Sequence, residues 1–298
     1  MVKTALVTGS AGFIGRHTVV HLDTLGWNVD MCDIKYDDLD PWYRDANFVF
    51  QTNGKRYDLV VHAAYHVGGR VEIDGKPANL HLNAQLDANL FEWAVRTRQP
   101  HVVYFSSSAA YPTHLQATLD NYRLRESDID FHAPDQPDGR YGEAKLYGEK
   151  MAEAARECGV KITVLRPFSG YGEDQDLAYP FPAFIQRALD RTDPFTIWGT
   201  MNQRRDFIHV DDIMIAMMNI IEDGIELPVN LCTGVATTMW NLAHLVADVV
   251  DYEPHIDHDL SKPMGVLNRV GDPTRMLAYH TPTIDIFEGV ARALKGRI

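Results

Sequence analysis

The stretch KTALVTGSAGFIG, residues 3–15, decides the fold. Residues 3–8 are a short β-rich run, and Gly9, Gly12 and Gly15 follow at three-residue spacing. The next run, to about Leu25, carries apolar residues at helical spacing and stops at Gly26. WNVDMCD (27–33) is then a second strand ending on an acid, Asp33. This order is the β–α–β unit that holds a dinucleotide. Its glycines allow a tight turn and bring backbone N–H groups close to a pyrophosphate at the helix N-terminus. Gly9, Ala11, Gly12, Phe13 and Ile14 are the expected cofactor contacts of that turn. Asp33 is placed to accept from the adenosine ribose diol, and its charge repels a 2′-phosphate. That favours NAD over NADP, although Lys35 lies nearby.

The alternation continues outward. YDLVVHAA (57–64) predicts a buried strand, a helix runs from about Pro77 to Arg98, and HVVYFSSS (101–108) predicts the next strand. Strands alternating with helices imply an α/β fold with a doubly wound parallel sheet, whose ligands sit beyond the carboxyl ends of the strands. Ala63, Ala64 and Ser106–Ser108 lie at two such ends, where small side chains let a nicotinamide ring pass. Tyr141-Gly-Glu-Ala-Lys145 opens another helix, so Tyr141 and Lys145 share a face one turn apart. A free phenol, with a pKa near ~10, is a poor base. A neighbouring ammonium and a hydroxyl bonded to the oxyanion both favour the phenolate, which can then take a proton from an alcohol.

Composition narrows the partners. With 28 basic and 41 acidic residues the net charge is −13, which argues against nucleic acid. Cys32, Cys158 and Cys232 are few and irregularly spaced, which suggests a reducing compartment. The chain runs from Met1 almost directly into its first strand, and no apolar run approaches the ~20 residues that span a bilayer. A cytoplasmic protein without a signal peptide is expected. His255 and His258, near Asp257 and Asp259, invite a metal reading; a proline precedes them and no partner cluster appears elsewhere, so a polar loop and no metal are expected.

Thr8-Gly9-x-x-Gly12-x-x-Gly15, the Ser106–Ser108 cluster followed by Tyr111, Tyr141-x3-Lys145, Arg166-Pro167-x-x-x-Tyr171-Gly172 and Arg205-Asp206-Phe207-x-x-Val210-Asp211-Asp212 occur in that order. Together they resemble the extended short-chain dehydrogenase/reductases: NAD-dependent nucleotide-sugar epimerases, dehydratases and reductases. The resemblance implies a Rossmann domain over residues 1–171, with returns near 205–235. Residues 172–204 and 236–298 would build a smaller α/β lobe for the sugar nucleotide. It implies Tyr141 as the base and Lys145 as a further contact of the nicotinamide ribose. Ser107, four residues before Tyr111, would support the base, with Ser106 and Ser108 beside it. Phe168 would pack near the nicotinamide. Arg205 and Arg269 match positions that bind the diphosphate, and Ser169 stands where the family usually has a phosphate-contacting Asn. Helices near 78–96 and 142–157 make a homodimer interface in this family; Phe91, Trp93, Leu146 and Met151 would serve it or the core equally.

Val67-Gly68-Gly69 and Lys262-Pro263-x-Gly265 are similar to GDP-fucose synthase and GDP-mannose 3,5-epimerase, which makes a GDP-sugar the leading substrate. Ala109 is a departure. Two residues before Tyr111, the epimerising GDP-sugar enzymes carry a Cys and the 4,6-dehydratases a Glu. A methyl group exchanges no proton, so inversion beside a carbonyl and elimination of water are both disfavoured. What remains needs only Tyr141, Ser107, Lys145 and NAD, and that is a 4-epimerase. The alternatives are an NAD(P)H-dependent C4 reductase, a dehydratase with its acid/base supplied from elsewhere, and a non-catalytic dinucleotide sensor. The polar stretch 113–140 is too irregular for core, and reads equally as a substrate-side loop or a solvated excursion.

Overall fold

The computed structural model of the chain describes residues 2–35, 45–68, 79–132 and 135–295. The opening unit is β1 (Thr4–Thr8), α1 (Phe13–Thr24) and β2 (Asn28–Cys32). The alternation runs on through α2 (Ala46–Thr52), β3 (Leu59–His62), α3 (Asn79–Thr97), β4 (His101–Phe105), α4 (Gly139–Glu157) and β5 (Lys161–Pro167). Next come β6 (Ser169–Tyr171), α5 (Pro180–Leu189), β7 (Phe195–Trp198), β8 (Arg204–Arg205), β9 (Phe207–His209) and α6 (Val210–Glu222). The chain finishes with β10 (Val229–Leu231), β11 (Thr237–Thr238), α7 (Met239–Val249), β12 (Ile256–Asp259), β13 (Asn268–Arg269), α8 (Thr274–Leu277) and α9 (Ile286–Leu294). The expected start of α3 near Pro77 lies outside the described residues.

Six strands form one parallel sheet in the order β10-β5-β4-β3-β1-β2. Because β1 lies between β2 and β3, the connections leave it in opposite directions, and a crevice opens at the carboxyl ends of β1 and β3. β3 and β4 are buried along their whole length, as helices on both faces require. Ala5, Val7, Val61, Val103 and Leu165 meet Ile213, Met217 and Ile220 of α6 on one face. Leu6, Val60, Val102 and Val164 meet Leu90, Phe91 and Trp93 of α3 and Ala152 of α4 on the other. Phe91 and Trp93 are thus buried within the single chain, as is Leu146, while Met151 is partly buried against the same core. A third cluster joins Phe181 and Phe184 of α5, Phe195 of β7, Leu242 and Val246 of α7 and Val290 and Leu294 of α9.

One expectation fails. Residues 256–259 form a strand, β12, parallel to β7, rather than a loop. Only Ile256 is buried there, and backbone pairing makes the strand without an apolar pattern. The polar stretch around 113–140 is largely exposed but anchored at points among its described residues. Gln116 and Leu124 are buried in it. Leu124 N–H donates to the Val270 carbonyl at 2.9 Å, and Asp272 N–H donates to the Leu124 carbonyl at 2.8 Å. Such bonds follow no helical or strand period, so polar composition hides them.

A buried ion pair ties α4 to β5. Arg166 grips Glu149 with both ends of its fork, Nε to Oε1 at 2.9 Å and Nη2 to Oε2 at 2.6 Å. Its Nη1 donates to Tyr111 Oη at 3.0 Å, and Tyr111 donates onward to Asn230 Oδ1 at 2.5 Å. Removing one partner strands the other charge in the core, at a cost of about 3–5 kcal/mol. Arg166→Met should therefore lose stability on that scale in urea unfolding, and a loss under about 1 kcal/mol would mean Glu149 finds another partner.

Candidate active site

The glycine turn is shaped by contact. Gly9 has φ +70°, and a Cβ there would sit 2.5 Å from the Ala63 carbonyl carbon and the Ala64 nitrogen. A Cβ at Gly15 would sit 2.0 Å from the Gly9 oxygen, so α1 lies directly on the turn. Gly12 caps α1 with no side chain, which leaves the first-turn N–H groups of Phe13 and Ile14 without a side-chain cap and suited to an anion. Asp33 Oδ2 accepts from Ala11 N–H at 3.0 Å, and Oδ1 from Lys35 N–H at 2.9 Å. The carboxylate is therefore fixed beside the turn. A dinucleotide fits this cradle: small backbone-lined turn, uncapped helix start, acid at the second strand end.

Tyr141 is half-buried in the first turn of α4. Burial pushes its phenol well above the usual range, Tyr179 adds to that, and the Ser107 hydrogen bond and the Arg269 charge pull it back. Lys145 is elsewhere engaged: its Nζ donates to the Phe105 carbonyl at 2.7 Å and lies 3.2 Å from the centre of the Tyr65 ring. Tyr65 in turn meets Tyr141 edge-on, with centroids 5.9 Å apart. An ammonium beside the phenol was the expectation; the hydrogen bond and the near ring contact of Lys145 go to Phe105 and Tyr65. Sharing a helical face brings two side chains within reach but does not choose their partners.

Other predicted residues sort by place. Ser107 caps a short 3-10 turn, accepting from Ala109 N–H at 3.1 Å, and Ser108 is buried in that turn. Ser106 is buried and its hydroxyl donates to Glu149. Phe168 sits in a cluster with Tyr111, Leu124 and Cys232. Ser169 begins β6, its N–H on the Asp206 carbonyl at 2.9 Å. Arg205 and Arg269 pair side by side across β8 and β13. Arg269 holds Asp138 at 2.8 Å and Gln116 Oε1 at 2.7 Å, and Arg205 Nη1 donates to the Arg204 carbonyl at 2.8 Å. Val67 is exposed, Gly68 partly so, and Gly69 lies outside the described residues. Sequence reasoning missed Tyr65, Asp87, Gln116, Asp138 and Tyr179. A signal existed for Asp87 alone: an acid on the apolar stripe it shares with Leu90 and Phe91.

Residues 5–232 match the NAD dependent epimerase/dehydratase family, and the chain belongs to it. It is 28% identical to the dTDP-4-dehydro-6-deoxy-D-allose reductase of a Streptomyces species, over 92% of this chain and 89% of that one. It is 27% identical to the GDP-L-fucose synthase of Escherichia coli K12, over 74% of each. Among solved structures it is similar to the UDP-glucose 4-epimerase of Thermotoga maritima with UDP-glucose. That likeness has a TM-score of 0.85 and 25% identity, over 98% of this chain and 97% of that one. The expected class, fold and NAD dependence stand. Among the described residues no helix is long and apolar enough to cross a membrane.

Two outcomes follow from this geometry. Gly9→Ala should weaken NAD binding at least about tenfold by calorimetry, because the backbone at 63–64 must move; unchanged affinity would disprove the cradle. Burial pushes Lys145 down from its ordinary 10.5 to about 7, against Asp87 and Glu149. Between those values the unfolded chain binds the proton and the folded chain does not, so this lysine's contribution rises with pH and is least favourable at and below 7. Lys145→Met should raise the urea midpoint most at pH 7, with the gain fading towards pH 10. A difference flat across that range would contradict the burial argument.

Proposed function

We propose that the chain is an NAD-dependent nucleotide-sugar 4-epimerase acting on a GDP- or UDP-hexose. The observation that carries this is Ala109, buried in the turn capped by Ser107, the residue that hydrogen-bonds Tyr141. Tyr141 acts as the phenolate, its own proton first released to solvent; it takes the proton of the C4 hydroxyl and returns it to the same oxygen, with Ser107 and the positive charge of Arg269 favouring the ionised form against burial. Bound NAD supplies the hydride acceptor and donor at that carbon. Ala109 offers no proton to a neighbouring carbon, so the chemistry stays at C4. Asp33 supports NAD over NADP, and a retained NAD suits a reaction with no net redox change. Arg205 and Arg269 side by side suit a diphosphate, for which Arg269 would exchange Asp138.

In the same reading residues 1–171, with the return at 205–235, hold the dinucleotide; 172–204 and 236–298 hold the sugar nucleotide. The working unit is a cytoplasmic homodimer through α3 and α4, which the exposed Leu82 and Tyr147 support. A C4 reductase is the second reading, favoured by the likeness to reductases. The test is incubation with GDP-mannose, UDP-glucose and UDP-glucuronate while following 340 nm absorbance, set as a probe wavelength on the order of the reduced nicotinamide band. Interconversion of C4 epimers without net NADH change is expected; stoichiometric consumption of reduced cofactor would replace the epimerase with the reductase. Tyr141→Phe should lose turnover by at least about a hundredfold while retaining NAD, and normal turnover would remove the phenol from the mechanism.

A further inference from the structure

Beneath Lys145 lies a buried cluster that the proposed chemistry does not use. Asp87 of α3 has no exposed surface. Its Oδ2 accepts from two phenols, Tyr104 at 2.8 Å and Tyr65 at 3.0 Å. The rings of the same two tyrosines face Lys145, with Nζ 3.2 Å from the Tyr65 centroid and 4.9 Å from that of Tyr104. Two aromatic rings thus bridge an ammonium and a carboxylate. Each phenol that donates to the carboxylate becomes more electron-rich on its face, which strengthens its attraction for the cation. The helix is built for this approach: a Cβ at Gly148 of α4 would sit 1.9 Å from Tyr104 Oη and 2.5 Å from Asp87 Oδ2.

We propose that Asp87 is the positioning residue for Lys145, holding its amino group in place through the Tyr65 and Tyr104 rings and favouring its charged form against burial. Tyr65 completes the device, because the ring that covers Lys145 also sets the edge against which Tyr141 rests. The groups facing Lys145 from each side bear this out. On β3, His62 Nε2 lies 3.4 Å from Asp87 Oδ1, and its Nδ1 pairs with Thr8 Oγ1 at 2.7 Å. Burial lowers His62, so it stays neutral and leaves the carboxylate's charge to Lys145. On α4 itself Glu149 is already neutralised by Arg166, and burial disfavours a charge on Tyr141.

The test reads Lys145 directly. In protein carrying isotope-labelled lysine, the side-chain resonance lost in Lys145→Met is followed by NMR from pH 5 to 10, without NAD or sugar. Asp87→Asn keeps shape and acceptor but removes charge. Its midpoint should fall by at least about one unit, a tenfold change in proton affinity. The alkaline limb of kcat/KM should move down with it, which a loss of packing alone would not produce. If Asp87→Asn does not fold, Tyr65→Leu carries the test, with an expected fall of about half a unit for one lost cation–ring contact. An unchanged midpoint in the folded variant overturns the proposal. The inference rests on Lys145 belonging to the proposed site, as the resemblance implies, yet absence of epimerase turnover in the parent protein would leave this titration intact, so the two failures are distinct.

Discussion

Two ionisable side chains one turn apart on α4, Lys145 and Glu149, are buried against the sheet, and much of their surroundings is arranged to answer them. Charge in a low-dielectric interior must be paired and hydrogen-bonded or it neutralises. Glu149 receives the full fork of Arg166 and the Ser106 hydroxyl. Lys145 receives a carbonyl, two aromatic rings and, behind them, Asp87. These partners come from the ends of β4 and β5, the segment after β3 and the middle of α3. Satisfying α4 therefore fixes how the sheet ends meet, and the crevice lies at those ends.

The same logic separates the two arginines paired across β8 and β13 from the one in the core. Arg166 is sealed and its charge is consumed. Arg269 is held by Asp138 and Gln116, and its side chain is only partly buried. The 113–140 segment supplies Gln116 and Asp138, so a stretch with no regular pattern holds Arg269 in place. Its anchoring to residues 267–272 joins it to the strand carrying Arg269.

Much of this was legible in the chain itself. The glycine spacing between two strands, the acid at Asp33 and the helical spacing of Tyr141 and Lys145 depend on local geometry, and local geometry is written in local sequence. The family could be identified from ordered motifs for the same reason. The period-2 and period-3.6 signals placed β1, α1, β3 and α4 to within a few residues. They failed at β12, where one buried isoleucine and backbone pairing suffice, and at the 113–140 strap, whose bonds run to residues more than a hundred positions away.

The sequence by itself determined the parallel sheet, the NAD cradle and the cast of Ser107, Tyr141 and Lys145. Only the tertiary structure decided which partners those side chains take. Lys145 bonds the Phe105 carbonyl and lies against the Tyr65 ring, whose hydroxyl donates to Asp87. The physical reason is that a buried charge selects partners by distance in space, and the candidates came from elements 40, 58 and 80 residues away in rough count, beyond the reach of any local pattern.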